Sequence, residues 1–139
     1  MKTSPFQTTK LNKMKEKEIF TTVKPDIVLG QLFHSRDTVH LCHLQTVSYA
    51  EHKALDTLYS ELLDLIDELT ETYFGVIGKR LNFKIPGSEY VNCNMHIKQT
   101  RDYLMKHRGV FGLENTHIQN IIDEIIALYD RTLYQLTLS

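Results

Sequence analysis

Apolar residues recur at helical spacing through most of this chain, and nowhere do they alternate at the period of a strand. From Asp26 to about Thr46, Leu29, Leu32, Phe33, Leu44 and Val47 gather on one face of a predicted helix, with Gln31, His34, Thr38 and Gln45 opposite. Arg36, His40 and His43 fall on the apolar side, where each needs a partner because water is scarce. After a short turn, Tyr49–Phe74 is predicted as the longest helix, with Leu55, Leu58, Tyr59, Leu62, Ile66, Leu69 and Tyr73 as its core stripe and Gly75 or Gly78 as its stop. A connector over 79–88, closed by Pro-Gly-Ser, leads to a third helix from about Glu89 to His107, with Val91, Met95, Ile97, Tyr103 and Leu104 as apolar candidates. Thr116 and Gln119 have the spacing of a capping box and open a fourth helix to about Leu136, carrying Ile118, Ile121, Ile122, Ile125, Ile126, Tyr129, Leu133 and Leu136.

Four amphipathic helices, one tight hairpin and no strand pattern predict an all-α bundle. The connection between the second and third helices is the longest, which suits a bundle with one crossover, the ferritin-like pattern. Residues 24–139 form the predicted single bundle domain. Residues 1–23 are polar and Lys-rich and read as a flexible arm with room for a short helix around Lys10–Phe20.

Composition narrows the class. Hydrophobic content of 42% and charged content of 24% are those of an ordinary globular domain, and no apolar run approaches a membrane span. Lys2 is followed by no apolar stretch, which argues against a secretory leader. Cys42 and Cys93 stand alone, so two reduced thiols in a cytoplasmic protein are expected. Residues 1–24 hold six Lys against Glu16 and Glu18, a net +4, so the overall −1 leaves −5 on the body. Lys2, Lys10, Lys13, Lys15 and Lys17 are candidates for sequence-blind contact with DNA phosphates, although such tails also serve solubility.

The candidate chemistry lies in His40, His52, Asp56, Asp67 and Glu71. On a continuous helix the last four fall at 0° and at about 40°, 60° and 100°, one polar strip on an apolar rod. His52 and Asp67 are nevertheless roughly 22 Å apart along the axis, too far for one metal ion within one chain. The pairs 52/71 and 56/67 share a midpoint between residues 61 and 62. Two such helices crossing antiparallel at a two-fold axis would set His52 against Glu71 of a second copy, and Asp56 against Asp67, making two equivalent shared sites. His40 and His52 are symmetric about Thr46, so an antiparallel pair turning there brings them level. Imidazole suits Fe(II) and carboxylates suit the Fe(III) that forms, while a small ligand set leaves room for an oxidant.

The segment from His40 to Glu71, HLCHLQTVSYAEHKALDTLYSELLDLIDELTE, resembles the ferroxidase segment of the Dps mini-ferritins. In that family a His is followed by a second His twelve residues on, an Asp four beyond, and a later Asp and Glu; all five positions are matched here. The resemblance implies Fe(II) oxidation, preferably with hydrogen peroxide, at sites across the two-fold interface of a dodecameric shell, for iron storage and protection from oxidative stress. It covers 32 of 139 residues in detail. Leu41 stands where the family usually has Trp, the glycine-containing turn is missing, and the connector and third helix look shorter.

The blander readings are a solvated helix face for the strip, and a non-catalytic oligomer or a DNA-compacting protein for the whole. His43 reads as a core histidine supporting the ligands. His34, His96 and His107 read as surface residues, as do Glu61, Asp64 and Glu68. Glu114 and His117 have the spacing of di-iron bundles but sit at a helix start without a second copy, where helix capping is the expected role.

Overall fold

The computed structural model describes residues 23–88 and 91–138. Four α-helices account for most of them: α1 (Pro25–Gln45), α2 (Tyr49–Ile77), α3 (Cys93–His107) and α4 (Thr116–Leu136), with a single 3-10 turn, Arg108–Phe111, between the last two. No strand occurs among the described residues. Pro25 opens α1 where its missing N–H costs nothing. Ser48 caps α2 by accepting from the Glu51 N–H, and Gly78 ends it in the left-handed conformation at φ 70°.

Named contacts fix the topology. α1 and α2 are antiparallel, held by His43 against His52 at the turn and by Arg36 and His40 against Tyr59 farther down. α2 and α4 are antiparallel, with Glu61 beside Arg131 and Tyr73 beside Phe111. α3 and α4 are joined by Arg101–Asp130 and Arg108–Asp123 ion pairs. α1 and α3 are antiparallel too, with His34 and Ser35 against His96, and Cys42 bonded to Cys93. The helices therefore run up, down, down and up.

Such an order requires the α2–α3 connection to climb the whole bundle, and it does so along α1. Lys84 lies against Gly30, where a Cβ would collide with its carbonyl. Pro86 O meets His34 Nδ1, and the Thr38 hydroxyl donates to Ser88. The chain thus advances two residues per helical turn, the pace of extended backbone. At the top, Cys42 and Cys93 form a disulfide with Cα atoms 6.3 Å apart, within the range such a bond needs. The expected reduced thiols are corrected here: fifty-one residues separate them in sequence, and only the path of the crossover brings them together.

The core is apolar on all four helices. Val28, Leu29, Leu32, Val39, Leu58, Leu62, Ile66, Leu69, Ile97, Leu104, Ile118, Ile122 and Ile125 are fully buried, each contributing about 1.5–3 kcal/mol by leaving water. Among the described residues no Asp or Glu is buried. One polar chain crosses this core: Tyr129 OH lies 2.7 Å from Ser35 Oγ, and Ser35 Oγ 3.0 Å from His96 Nε2. Among the described residues Ser35 is the one acceptor bonded to the buried Tyr129 hydroxyl, so Tyr129 donates to Ser35, which donates to His96 Nε2. Burial, with His34 nearby, lowers the His96 pKa to about 4. His96 is therefore half-buried and structural, not a surface residue.

Other expectations change in detail. Leu44 and Val47 are exposed, because the helix ends at Gln45 and the chain turns outward. Thr38 is buried beneath the crossover instead of facing solvent. α3 starts at Cys93, where the Asn92 side chain accepts from the Met95 N–H, four residues later than predicted. The capping box at Thr116 does not form; Asn115 is the cap residue, and Gln119 instead donates to the carbonyls of Arg108 and Gly112. Glu114 and His117 are exposed. Val23, assigned to the arm, packs on the core. The rest of the arm, including its five candidate Lys residues, lies outside the described residues.

Candidate metal site on the first hairpin

Three imidazoles meet on the α1–α2 hairpin. The rings of His43 and His52 stack at 3.8 Å, and the ring of His40 lies 6.0 Å from that of His43. His43 Nδ1 is 2.8 Å from the carbonyl of His52, and His52 Nδ1 is 2.9 Å from the carbonyl of His43. A carbonyl only accepts, so both Nδ1 atoms carry hydrogen. In the neutral ring the Nε2 of His52 then carries the lone pair, with no partner within the described residues and the ring partly open to solvent. That is the state in which imidazole ligates a metal, with a carbonyl fixing its orientation from behind.

His40 packs flat on Tyr59, with ring centres 4.1 Å apart and planes 10° from parallel. Tyr59 also meets the edge of His43 and lies under the Arg36 guanidinium, 5.6 Å away. A hydrogen bond to the Asp56 carboxylate, then burial, raises the Tyr59 pKa above its ordinary value. Arg36 pairs with Asp37, while its buried Nε has no acceptor among the described residues. On this apolar face His43 is thus bonded to a carbonyl and Arg36 is paired in part by Asp37, while the Tyr59 ring covers His40.

Asp56 is half-exposed one turn after His52, whereas Asp67 and Glu71 are exposed farther down the same helix. Neither Asp67 nor Glu71 makes an ion pair or side-chain hydrogen bond among the described residues. α2 is continuous from Tyr49 to Ile77, so all four strip residues share one outward face. One chain brings His40, His52 and Asp56 to the turn end of the hairpin and leaves Asp67 and Glu71 apart from them. Among the described residues, no three His, Cys, Asp or Glu side chains of one chain form a group that could hold a metal ion.

The apolar pattern places Tyr59 in the core, and its spacing of three from Asp56 is the sign in the sequence of its second role. The hydrogen-bond exchange between His43 and His52 had no sequence signal beyond their symmetric placement about the turn. Both depend on how the two helices are docked.

The chain belongs to a family of unknown function, DUF5856, whose model matches residues 43–136. That match takes in His52, Asp56, Asp67 and Glu71 and begins just after His40 and Cys42. The chain is also similar to the uncharacterised 14.6 kDa protein in the mobD-ri intergenic region of Enterobacteria phage T4, 34% identical over 115 residues. The alignment spans 83% of this chain and 89% of the phage protein. No solved structure gives a significant match. No described helix is long and apolar enough to cross a membrane.

Proposed function

We propose that this protein is a ferritin-like ferroxidase of the Dps type, with Fe(II) as substrate and hydrogen peroxide as oxidant, acting at sites shared between two-fold-related copies. The observation that carries the reading is the fixed tautomer of His52, which leaves Nε2 free on the outward strip beside Asp56. The up-down-down-up order with its full-length crossover supports a ferritin-like bundle. The absence of buried carboxylates among the described residues argues against a metal pair inside the bundle and favours its surface.

The strip itself supports a second copy as the missing half. Taking His52 as 0°, Tyr49, Ser60, Leu63 and Phe74 fall at about 60°, 80°, 20° and 40° on the same face. The pairs 49/74 and 60/63 share the midpoint of 52/71 and 56/67. An antiparallel crossing there would bury the exposed Tyr49 ring against Phe74 of a second copy and place Leu63 near the axis. Each site then takes His40, His52 and Asp56 from one copy, and Asp67 and Glu71 from the other. Two Fe(II) give up one electron each to one peroxide, which takes up two protons and leaves as two waters. Paired delivery avoids releasing a hydroxyl radical.

Anaerobic Fe(II) titration of the metal-free protein, followed by peroxide, tests the proposal. Saturable binding and consumption of one peroxide per two Fe(II) are expected. Absence of binding would overturn it. A non-catalytic oligomer using the same face is the second reading, favoured by the close cover of Tyr59 on His40, and the titration separates the two.

A further inference from the structure

We propose that Cys42 and Cys93 form a second redox site, independent of iron, which a peroxide oxidises and a small thiol reduces. Three observations converge on this pair. The two sulfurs are bonded across the top of the bundle, and no cysteine remains free. Both residues line a half-open cavity of about 480 Å³ whose polar rim includes Gln45, Glu51, Asn92 and Asn94. Their surroundings also differ: Cys42 is 4% exposed on the body of α1, while Cys93 is only partly buried as the first residue of α3.

The asymmetry assigns the roles. Cys93, at the first position of α3 and the less buried of the two, is the accessible thiol and takes the attacking role. In the reduced protein the Cys93 thiolate attacks one oxygen of hydrogen peroxide, breaking the O–O bond and forming a sulfenic acid with loss of hydroxide. The Cys42 thiol then attacks that sulfur, water leaves, and the disulfide closes. In reverse, a small thiol enters the cavity and attacks the accessible Cys93 sulfur, releasing Cys42. A second thiol attacks the outer sulfur of the mixed disulfide and frees Cys93. Over one cycle, one peroxide and two small thiols become two waters and one external disulfide. A purely structural staple needs neither a cavity at its sulfurs nor one partner left partly open to it. Opening the bond releases the upper end of the crossover from α1, so the same chemistry loosens the entrance of α3.

The full-length protein in chelator, which removes iron chemistry, provides the test. Folded oxidised protein should be reduced by glutathione without denaturant. The reduced protein should then lose two thiols and two hydrogens of mass per hydrogen peroxide, faster than free cysteine reacts. With Cys42→Ser, dimedone should trap a sulfenic acid on Cys93; with Cys93→Ser, the fast reaction should vanish. Two results overturn the proposal: a disulfide that glutathione reduces only after urea unfolding, or reduced wild-type protein that meets peroxide no faster than free cysteine. Both are read on wild-type protein, so a variant that fails to fold leaves the decision intact. Failure of the ferroxidase reading would not touch this result.

Discussion

His43 and His52 hold each other by reciprocal hydrogen bonds, each ring donating to the other's backbone carbonyl while the rings stack at 3.8 Å. This exchange ties the end of α1 to the start of α2 and sets the direction of His52 Nε2. His43→Ala removes one bond and the stacked ring but leaves the carbonyl that orients His52. The variant should lose about 1–3 kcal/mol of stability in urea unfolding. Because the orienting carbonyl stays, its Fe(II) affinity should fall by less than about 10-fold, the lower bound for losing that partner outright. Unchanged Fe(II) titration would detach His43 from the site.

Shared sites make a prediction that a single-chain site cannot. His52→Ala and Glu71→Ala should each abolish rapid peroxide-driven Fe(II) oxidation. Unfolded together and refolded, they yield mixed dimers in which one site has both residues and the other neither. About a quarter of wild-type activity should return if half the dimers are mixed. If subunits exchange and no activity returns, the ligands do not come from two chains.

Leu63 tests the axis without touching a ligand. It is half-buried in the chain and central on the outward strip. Leu63→Asp would bring two carboxylates together in a closed interface, where an unpaired charge costs about 3–5 kcal/mol. Sedimentation should show monomers with native helicity by circular dichroism. A variant that stays dimeric would place the interface elsewhere.

Acid should weaken the fold through His96. Its folded pKa of about 4 lies below the ordinary 6.5, so the unfolded chain binds the proton first. The stability contributed by neutral His96 is complete above pH 6.5 and declines as pH falls toward 4. The slope should stay below about 1.4 kcal/mol per pH unit, the limit for one proton, because the ring is only partly shielded from solvent. Protonated His96 would donate to Ser35, which already accepts from Tyr129, and so leave the Ser35 hydrogen without the acceptor it has in neutral His96. Urea midpoints measured across this range should show the decline in wild type and a flatter profile in His96→Gln.

Gly30 tests the crossover. A methyl group there would strike the Lys84 carbonyl, so Gly30→Ala should destabilise the protein by about 1–3 kcal/mol despite alanine's better helix propensity. Hydrogen exchange should rise in residues 79–88. A stabilised variant would show that the crossover can move aside freely.

Helix number, type and most boundaries were legible because each helix has an apolar stripe at helical spacing, and Gly78 stops α2 as its chemistry requires. The outward strip was equally legible, since faces of an uninterrupted helix follow from residue number alone. What escaped depended on the route of the crossover. Thr38 looks solvated until Ser88 covers it, and Cys42 looks solitary until Cys93 arrives. His96 is polar by type, and only its contact with Ser35 makes it part of the interior. Gly30, His34, Thr38 and Cys42 nevertheless recur every four residues along α1, a small or polar row that marks where other backbone comes close.

That row makes α1 a ruler for the segment beside it. Four helical residues advance about 6.0 Å and two extended residues about 6.6 Å, so successive marks coincide with little accumulated error. The spacing tolerates exchange of side chains more readily than a change in count. One residue added between Lys84 and Ser88 would shift every later mark by half an interval and turn alternate side chains to the wrong side. Cys93 would then reach the top of the bundle out of phase with Cys42. Length in this segment is therefore as much a part of the encoded structure as any residue it contains.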